Sequence, residues 1–421
     1  MTDKRVLMIA YHYPPSHGSS GIQRTLKFSA YLRDHGWEPL VLTVSPAAYE
    51  MVNYDQLKDI PAGMVVERAF GRDTARHFSV GGRYLGWMAQ PDRWVSWWPG
   101  AVLQGLAMIR RHRPSVIFST YPIATALLIG KTLQRMSGLP WVADFRDAMT
   151  EPGYPRDEKT WAIHRRLEGQ VIDRCAKAIF TTSGTLEMYA ERYPAVPPAR
   201  WAVIENGFDE DNFRDAEATL VREPLGAPGQ MVLVHSGILY PEERDPRPLF
   251  AALRRLKDAG EVDAGRLKLV LRATGSDERY RTMIAEYGID DLVAIEPSVA
   301  YRAALQEMMR ADGLLLMQAL ICNHQIPAKL YEYARAGRPI LGLTDFAGNT
   351  AELLGKLGCT HVANIADAES IYGVFKDFMA SWSAGGLHGV TRELAIGCSR
   401  RSRTGELAAL LDGLSGDRRV S

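Results

Sequence analysis

Lys329 and Glu332 stand three residues apart in NHQIPAKLYEYARAGRPILGL, residues 323–343. That spacing puts an ammonium and a carboxylate on one face of a helix, within its first two turns. Pro327 suits the first helical turn, where its missing N–H costs nothing, and AKLYEYARA is rich in helix formers. Gly337 followed by Pro339 is a stop signal, and 340–343 then reads as a short buried strand. A helix N-terminus offers free N–H groups and a partial positive charge, which suit a phosphate. A lysine there adds charge, and a carboxylate beside it can accept two vicinal hydroxyls such as those of a ribose. The alternative reading is an ordinary amphipathic helix with a surface Lys–Glu pair.

Three further groups of residues could do related chemistry. The loop 11–21, YHYPPSHGSSG, follows an apolar run at 5–10 and precedes Ile22, Leu26 and Ala30 at helical spacing. Gly18 and Gly21 let backbone approach a ligand closely, while Ser19 and Ser20 offer hydroxyls. The loop lacks the GxGxxG spacing, and no acidic residue ends the next strand at 40–44, so a dinucleotide fingerprint is weak. A plain flexible connection is the alternative. Asp144, Arg146 and Asp147 arrive at the end of an apolar run at 140–145. Two carboxylates around an arginine at a strand end could orient a hydroxyl of a second substrate, or form an internal ion pair that shapes the loop. Arg244 stands just before Asp245-Pro246, a good start for a helix, and is a second candidate contact for a diphosphate or else a solvated cation.

The elements that must hold these residues alternate strand and helix twice over. Strands are predicted at 5–10, 40–44, 115–119, 140–145 and 178–182, and again at 231–235, 267–273, 293–296, 313–317 and 340–343. Open parallel α/β sheets place ligands at the C-terminal ends of their strands, where all of the groups above lie. Two doubly wound, Rossmann-like domains facing a cleft are expected, because 421 residues exceed what one core usually supports. The first is assigned to 1–214 and the second to 215–400. The last stretch, 401–421, is expected to form a helix that packs back on the first domain.

Composition narrows the class. Hydrophobic residues make up 46% and charged residues 24%, as in a soluble globular protein. A net charge of +1 gives no argument for nucleic-acid binding. Cys175, Cys322, Cys359 and Cys398 have no CxxC spacing, which argues against a zinc site or disulfide framework and fits a reducing cytoplasm. No apolar run has the length of a membrane span, and the N-terminus carries no signal-type h-region with a cleavage site. Between residues 47 and 99 order is hard to read: Gly81, Gly82 and Gly86 sit among aromatics, and Trp94, Trp97 and Trp98 lie close together. With the basic run Arg110, Arg111, His112 and Arg113, these tryptophans could seat the chain on an anionic membrane surface, though such tryptophans are more often core.

The segments PAKLYEYARAGRPIL and VIENGFD resemble family 4 glycosyltransferases, retaining enzymes of GT-B fold, and in particular a branch that builds bacterial surface polysaccharides. The resemblance covers nearly the whole chain. It implies that Glu332 holds the donor ribose and that the strand end at Ser298 lies near the nucleotide base. It also implies that the loop holding Gly18, Ser19, Ser20 and Gly21 faces donor phosphates and acceptor, and that GILYPEERDP, with Gly237 and Arg244, is the glycine loop at the diphosphate. The usual arginine just after that glycine is missing, so Arg244, helped by Arg247, takes its part. The family's first glutamate, eight residues before Glu332, is replaced by His324. DFRD fits the same branch, with Asp144, Arg146 and Asp147 on the acceptor side.

The implied function is transfer of a sugar from a nucleotide-sugar donor to a glycan or polyprenyl-linked acceptor, with retention of anomeric configuration. Arg244 and Lys329 would stabilise the departing diphosphate. No metal and no cofactor beyond the donor is expected, the cations replacing a metal. The implied location is the cytoplasm, with peripheral contact to the inner membrane face. A sugar-nucleotide epimerase of similar fold, and a non-catalytic sugar-nucleotide or glycan-binding subunit, stand as alternatives.

Overall fold

The computed structural model describes residues 4–18 and 21–416. One compact unit runs to Glu205 and takes in the helix Arg400–Gly416; the other is Asn206–Ser399. Each is built on one parallel sheet with helices on both faces.

The first sheet has seven strands: β1 (Lys4–Ile9), β2 (Trp37–Val44), β3 (Val65–Ala69), β4 (Val116–Thr120), β5 (Trp141–Phe145), β6 (Lys177–Phe180) and β7 (Trp201–Val203). Their order is β3-β2-β1-β4-β5-β6-β7, so the strand order reverses between β1 and β4. Alternate side chains go to opposite cores. Leu7, Ile9, Leu42 and Ile117 join a cluster with the helices Trp97–His112 and Ala124–Ser137. Val6, Met8 and Phe118 join Phe28, Leu407 and Leu411 on the other face. A parallel strand covered on both faces must be apolar at every position, which is why these strands read as continuous runs. Each leucine so enclosed contributes about 1.5–3 kcal/mol by removal from water.

The second sheet has six strands: β8 (Met231–Ser236), β9 (Leu267–Arg272), β10 (Val293–Glu296), β11 (Gly313–Gln318), β12 (Ile340–Thr344) and β13 (Val362–Ala363). The order β10-β9-β8-β11-β12-β13 reverses between β8 and β11. Leu233, Leu315 and Leu341 face one core, and Val234, Leu316 and Ile340 the other.

Two expectations change, and of the two readings of the tryptophans the core one holds for Trp94 and Trp97. Residues 206–214, placed with the first domain, go with the second unit. The helix Glu210–Glu217 sends Phe213 and Ala216 into the second core, and Arg335 pairs with both Glu210 and Glu217. The helix after Arg244 starts at Arg247 with Pro246 as its cap residue; Asp245 instead accepts from the Arg247 backbone N–H at 3.0 Å. The tryptophans are not one surface group. Trp97 is fully buried, Trp94 packs on Tyr11 with ring centroids 4.8 Å apart, and Trp98 donates to Thr132 at 3.0 Å. Burial of Trp97 removes it from any membrane-facing role.

Candidate functional site

In the first unit the loops after β1, β4 and β5 meet at the point of reversal. Asp144, next to last in β5, is fully buried, and its carboxylate is filled. Arg24 donates Nε to Oδ2 at 3.1 Å and Nη2 to Oδ1 at 2.8 Å, and Thr120 donates to Oδ2 at 2.8 Å. Arg24 also donates to the carbonyls of Ile204 and Glu205. Asp144 is therefore the internal ion pair of the two readings, and its partner is Arg24, not Arg146. Arg24 was not among the residues singled out from the sequence: its partner lies 120 residues away, and no local pattern carries that signal.

Arg146 donates Nη1 to the carbonyl of Gly21 at 3.1 Å, so the DFRD loop and the glycine-serine loop are joined at the first residue of the helix Gly21–Tyr31. Arg146 Nε is buried with no hydrogen-bond partner among the described residues. Burial, and then the Arg146 charge, push His12 down to about 4, so its imidazole is neutral at pH 7. Asp147 is exposed on the same loop. Gly18 has φ +85° and lies against Met51, whereas Ser19 and Ser20 lie outside the described residues.

A buried hub fixes the rest of that loop. Glu168, fully buried, accepts from Thr150 at 3.0 Å and from Tyr189 and Tyr193 at 2.8 Å each, with Arg165 and Arg192 as its ion partners. Tyr189 accepts from the Met149 backbone N–H, and Arg192 donates to the Thr150 carbonyl. The chain after Asp147 is thus tied to a helix the sequence reading did not find, Glu158–Arg174.

In the second unit the loops after β8 and β11 converge at the other reversal. His235, fully buried near the end of β8, hydrogen-bonds through Nδ1 to the Leu315 carbonyl of β11 at 2.9 Å. Its Nε2 then accepts from Lys329 Nζ at 3.1 Å. Lys329 enters from the first turn of the helix Ala328–Ala336, as its position in the sequence implies. Gly237 has φ +119°, and a Cβ there would stand 3.0 Å from Lys329 Nζ. The backbone conformation favours glycine there, and a side chain would also crowd the lysine ammonium.

Arg244, with 12% of its side chain exposed, donates to the Ile238 carbonyl at 3.1 Å and lies over the Tyr240 ring. Its Nε is buried with no partner among the described residues. Burial, then the Arg244 charge, lower Lys329 to about 7, while Glu332 opposes them. The three groups chosen from sequence are therefore electrostatic neighbours. Arg247 is not of this group: it is exposed and bound to Asp245.

Glu332 accepts from Tyr301 Oη at 2.6 Å. Tyr301 opens the helix Tyr301–Arg310 three residues after Ser298, which is exposed beyond the end of β10. The carboxylate and that loop are thus brought together. His324 is exposed in the turn between β11 and the Lys329 helix. His235, read only as a strand residue, and Tyr301 were missed. Among the described residues no three His, Cys, Asp or Glu side chains gather as a metal would require.

Residues 20–207 match the model of the glycosyl transferase 4-like domain. Among solved structures the chain is similar to Anabaena HepE in complex with UDP and glucose, at 14% identity and a TM-score of 0.64, covering 97% of this chain and 100% of that one. It is similar to the alpha,alpha-trehalose 6-phosphate synthase of Burkholderia multivorans, at 12% identity and a TM-score of 0.64, covering 99% and 98%. It is also similar to WaaG, a glycosyltransferase involved in lipopolysaccharide biosynthesis, at 14% identity and a TM-score of 0.59, covering 97% and 100%. No curated protein sequence matches it. Two parallel sheets of this order with these neighbours define the GT-B fold. Over residues 20–207, then, the chain matches a glycosyl transferase 4-like domain, and as a whole it has the GT-B fold.

Proposed function

We propose that the chain transfers a sugar from a nucleotide-sugar donor to a glycan or polyprenyl-linked acceptor, with retention of anomeric configuration, in the building of a surface glycan. The observation that carries the donor half is the convergence of Gly237, Lys329 and Arg244 where the second sheet reverses, with Glu332 on the same helix as Lys329. Open α/β sheets take ligands at that point. HepE, of the same fold, holds UDP and glucose, and the surface-glycan reading draws on WaaG.

Departure of the donor diphosphate breaks the bond from the anomeric carbon to the diphosphate oxygen and leaves negative charge there. Lys329, taking up a proton as the diphosphate arrives, and Arg244 would stabilise that charge in a half-buried setting. On this reading the two cations act without a metal. Glu332 would hold the ribose hydroxyls, and Ser298 would lie near the base. His324 stands where a family carboxylate would reach the donor sugar, and no other carboxylate neighbours it in sequence. We therefore assign attack to the same face as the departing diphosphate, whose oxygen accepts the acceptor's proton. Arg146 and Asp147, with His12, would position the acceptor hydroxyl.

The acceptor reading puts the protein in the cytoplasm with peripheral contact to an anionic membrane. No helix among the described residues is long and apolar enough to cross a membrane. The test is incubation with a panel of nucleotide sugars against glycan, polyprenyl-linked and sugar-phosphate acceptors. An α-linked donor should give an α-linked product by NMR; a β-linked product refutes retention, and interconversion of donors without acceptor refutes transfer.

A further inference from the structure

The segment from Thr74 to Pro91 is a finger closed at its neck and bare at its tip. At the neck, buried Asp73 accepts from the Ala75 backbone N–H at 3.0 Å and pairs with Arg93. Thr74 donates its backbone N–H to the Arg93 carbonyl and its hydroxyl to the Met88 carbonyl. At the tip, Val80 and Arg83 exchange two backbone hydrogen bonds around Gly81 and Gly82, whose φ values of +57° and +75° only glycine adopts without cost. The apolar side chains between neck and tip do not fold inward. Val80 is 86% exposed, Leu85 61% and Trp87 73%, with Phe78 and Tyr84 also exposed.

An ordered loop that leaves five large apolar side chains in water marks a surface made to be covered. Its charge says by what. Residues 74–91 carry Arg76, His77 and Arg83 and no Asp or Glu. Aromatic rings next to cations, without carboxylates, match the headgroup region of an anionic bilayer, where amphipathic rings and positive charge are both favoured.

We infer that the finger at residues 78–87 is the membrane-contact surface of the first unit, inserting Leu85 and Trp87 into the headgroup layer of an anionic leaflet with Arg83 against lipid phosphates. The inference rests on the peripheral-membrane part of the proposed function and replaces the tryptophan group at 94–98 as the contact.

The full chain is sedimented with vesicles of phosphatidylcholine mixed with phosphatidylglycerol, and with phosphatidylcholine alone, at low and high salt. Binding to the anionic vesicles at low salt is expected. The double variant Leu85→Glu/Trp87→Glu should lose it by roughly tenfold or more, and Arg83→Glu should lower it on anionic vesicles only. All three positions are exposed, and an unchanged circular dichroism spectrum confirms folding. No binding of the wild type overturns both the inference and the peripheral reading. Wild-type binding that the variants retain overturns the finger alone. Lipid-free self-association that the double variant abolishes, without vesicle binding, assigns the surface to a second copy and also overturns it.

Discussion

Lys329→Met should stabilise the protein at low pH while it weakens donor binding, and the two effects have one cause. In the folded chain Lys329 is lowered to about 7 by burial and by Arg244, against about 10.4 for a solvated lysine. The unfolded chain therefore binds more protons at this group between pH 7 and 10, so stability rises with pH across that window and the cost of charging the lysine is fully present below 7. Methionine removes this cost at every pH. It also leaves buried His235 Nε2 without its donor, a loss of about 1–3 kcal/mol that does not vary with pH, since burial holds that imidazole neutral. The pH-dependent part is cleaner. From pH 6 to pH 9 the stability of the variant relative to wild type should fall by about 2.5 kcal/mol, less to the extent that solvent reaches the ammonium. Urea unfolding of both proteins across that range measures it. A difference that stays constant with pH refutes the reading of Lys329 as a buried cation held near neutrality. Donor titration of the wild type supplies the second half: affinity should fall as pH rises above 7, because the diphosphate binds with uptake of a proton.

Three further outcomes follow from the sites. Asp144→Asn leaves Arg24 buried without its counter-charge and should cost about 3–5 kcal/mol of stability in chemical denaturation, whereas exposed Asp147→Asn should stay within about 0.5 kcal/mol of wild type and lower transfer instead. Tyr193→Phe, the mildest cut into the Glu168 hub, should speed amide exchange at residues 148–150 and lower transfer while donor affinity, measured by calorimetry, is unchanged. Arg244→Ala should lower turnover at saturating donor more than it weakens donor binding; full turnover would remove it from the diphosphate.

The sheets were legible because both faces are covered: runs such as VLMIA and LVLTV have no other use in a protein of this polarity. The helix that carries Lys329 and Glu332 was legible for a local reason, since Pro327 and Gly337 mark its two ends in the sequence. What stayed hidden was long-range or polar and buried. The helix Glu158–Arg174 turns His164 and Glu168 inward beside Leu167, Val171 and Ile172, which breaks the apolar period that would have announced it. The pairs Arg24–Asp144 and His235–Lys329 join residues 120 and 94 apart in the chain. Trp94, Trp97 and Trp98 read as one cluster because they are close in sequence, but they straddle the start of a helix and so point to different surroundings.

The most direct measurement is calorimetric titration of the full chain with UDP, GDP and ADP at pH 7, repeated with Glu332→Ala and Lys329→Gln. The account predicts that at least one nucleoside diphosphate binds. Each variant should weaken it by on the order of 1–3 kcal/mol, about tenfold to a hundredfold, with the fold intact by circular dichroism. Binding that neither variant weakens, or no binding by any of the three, would contradict a donor site built on this helix.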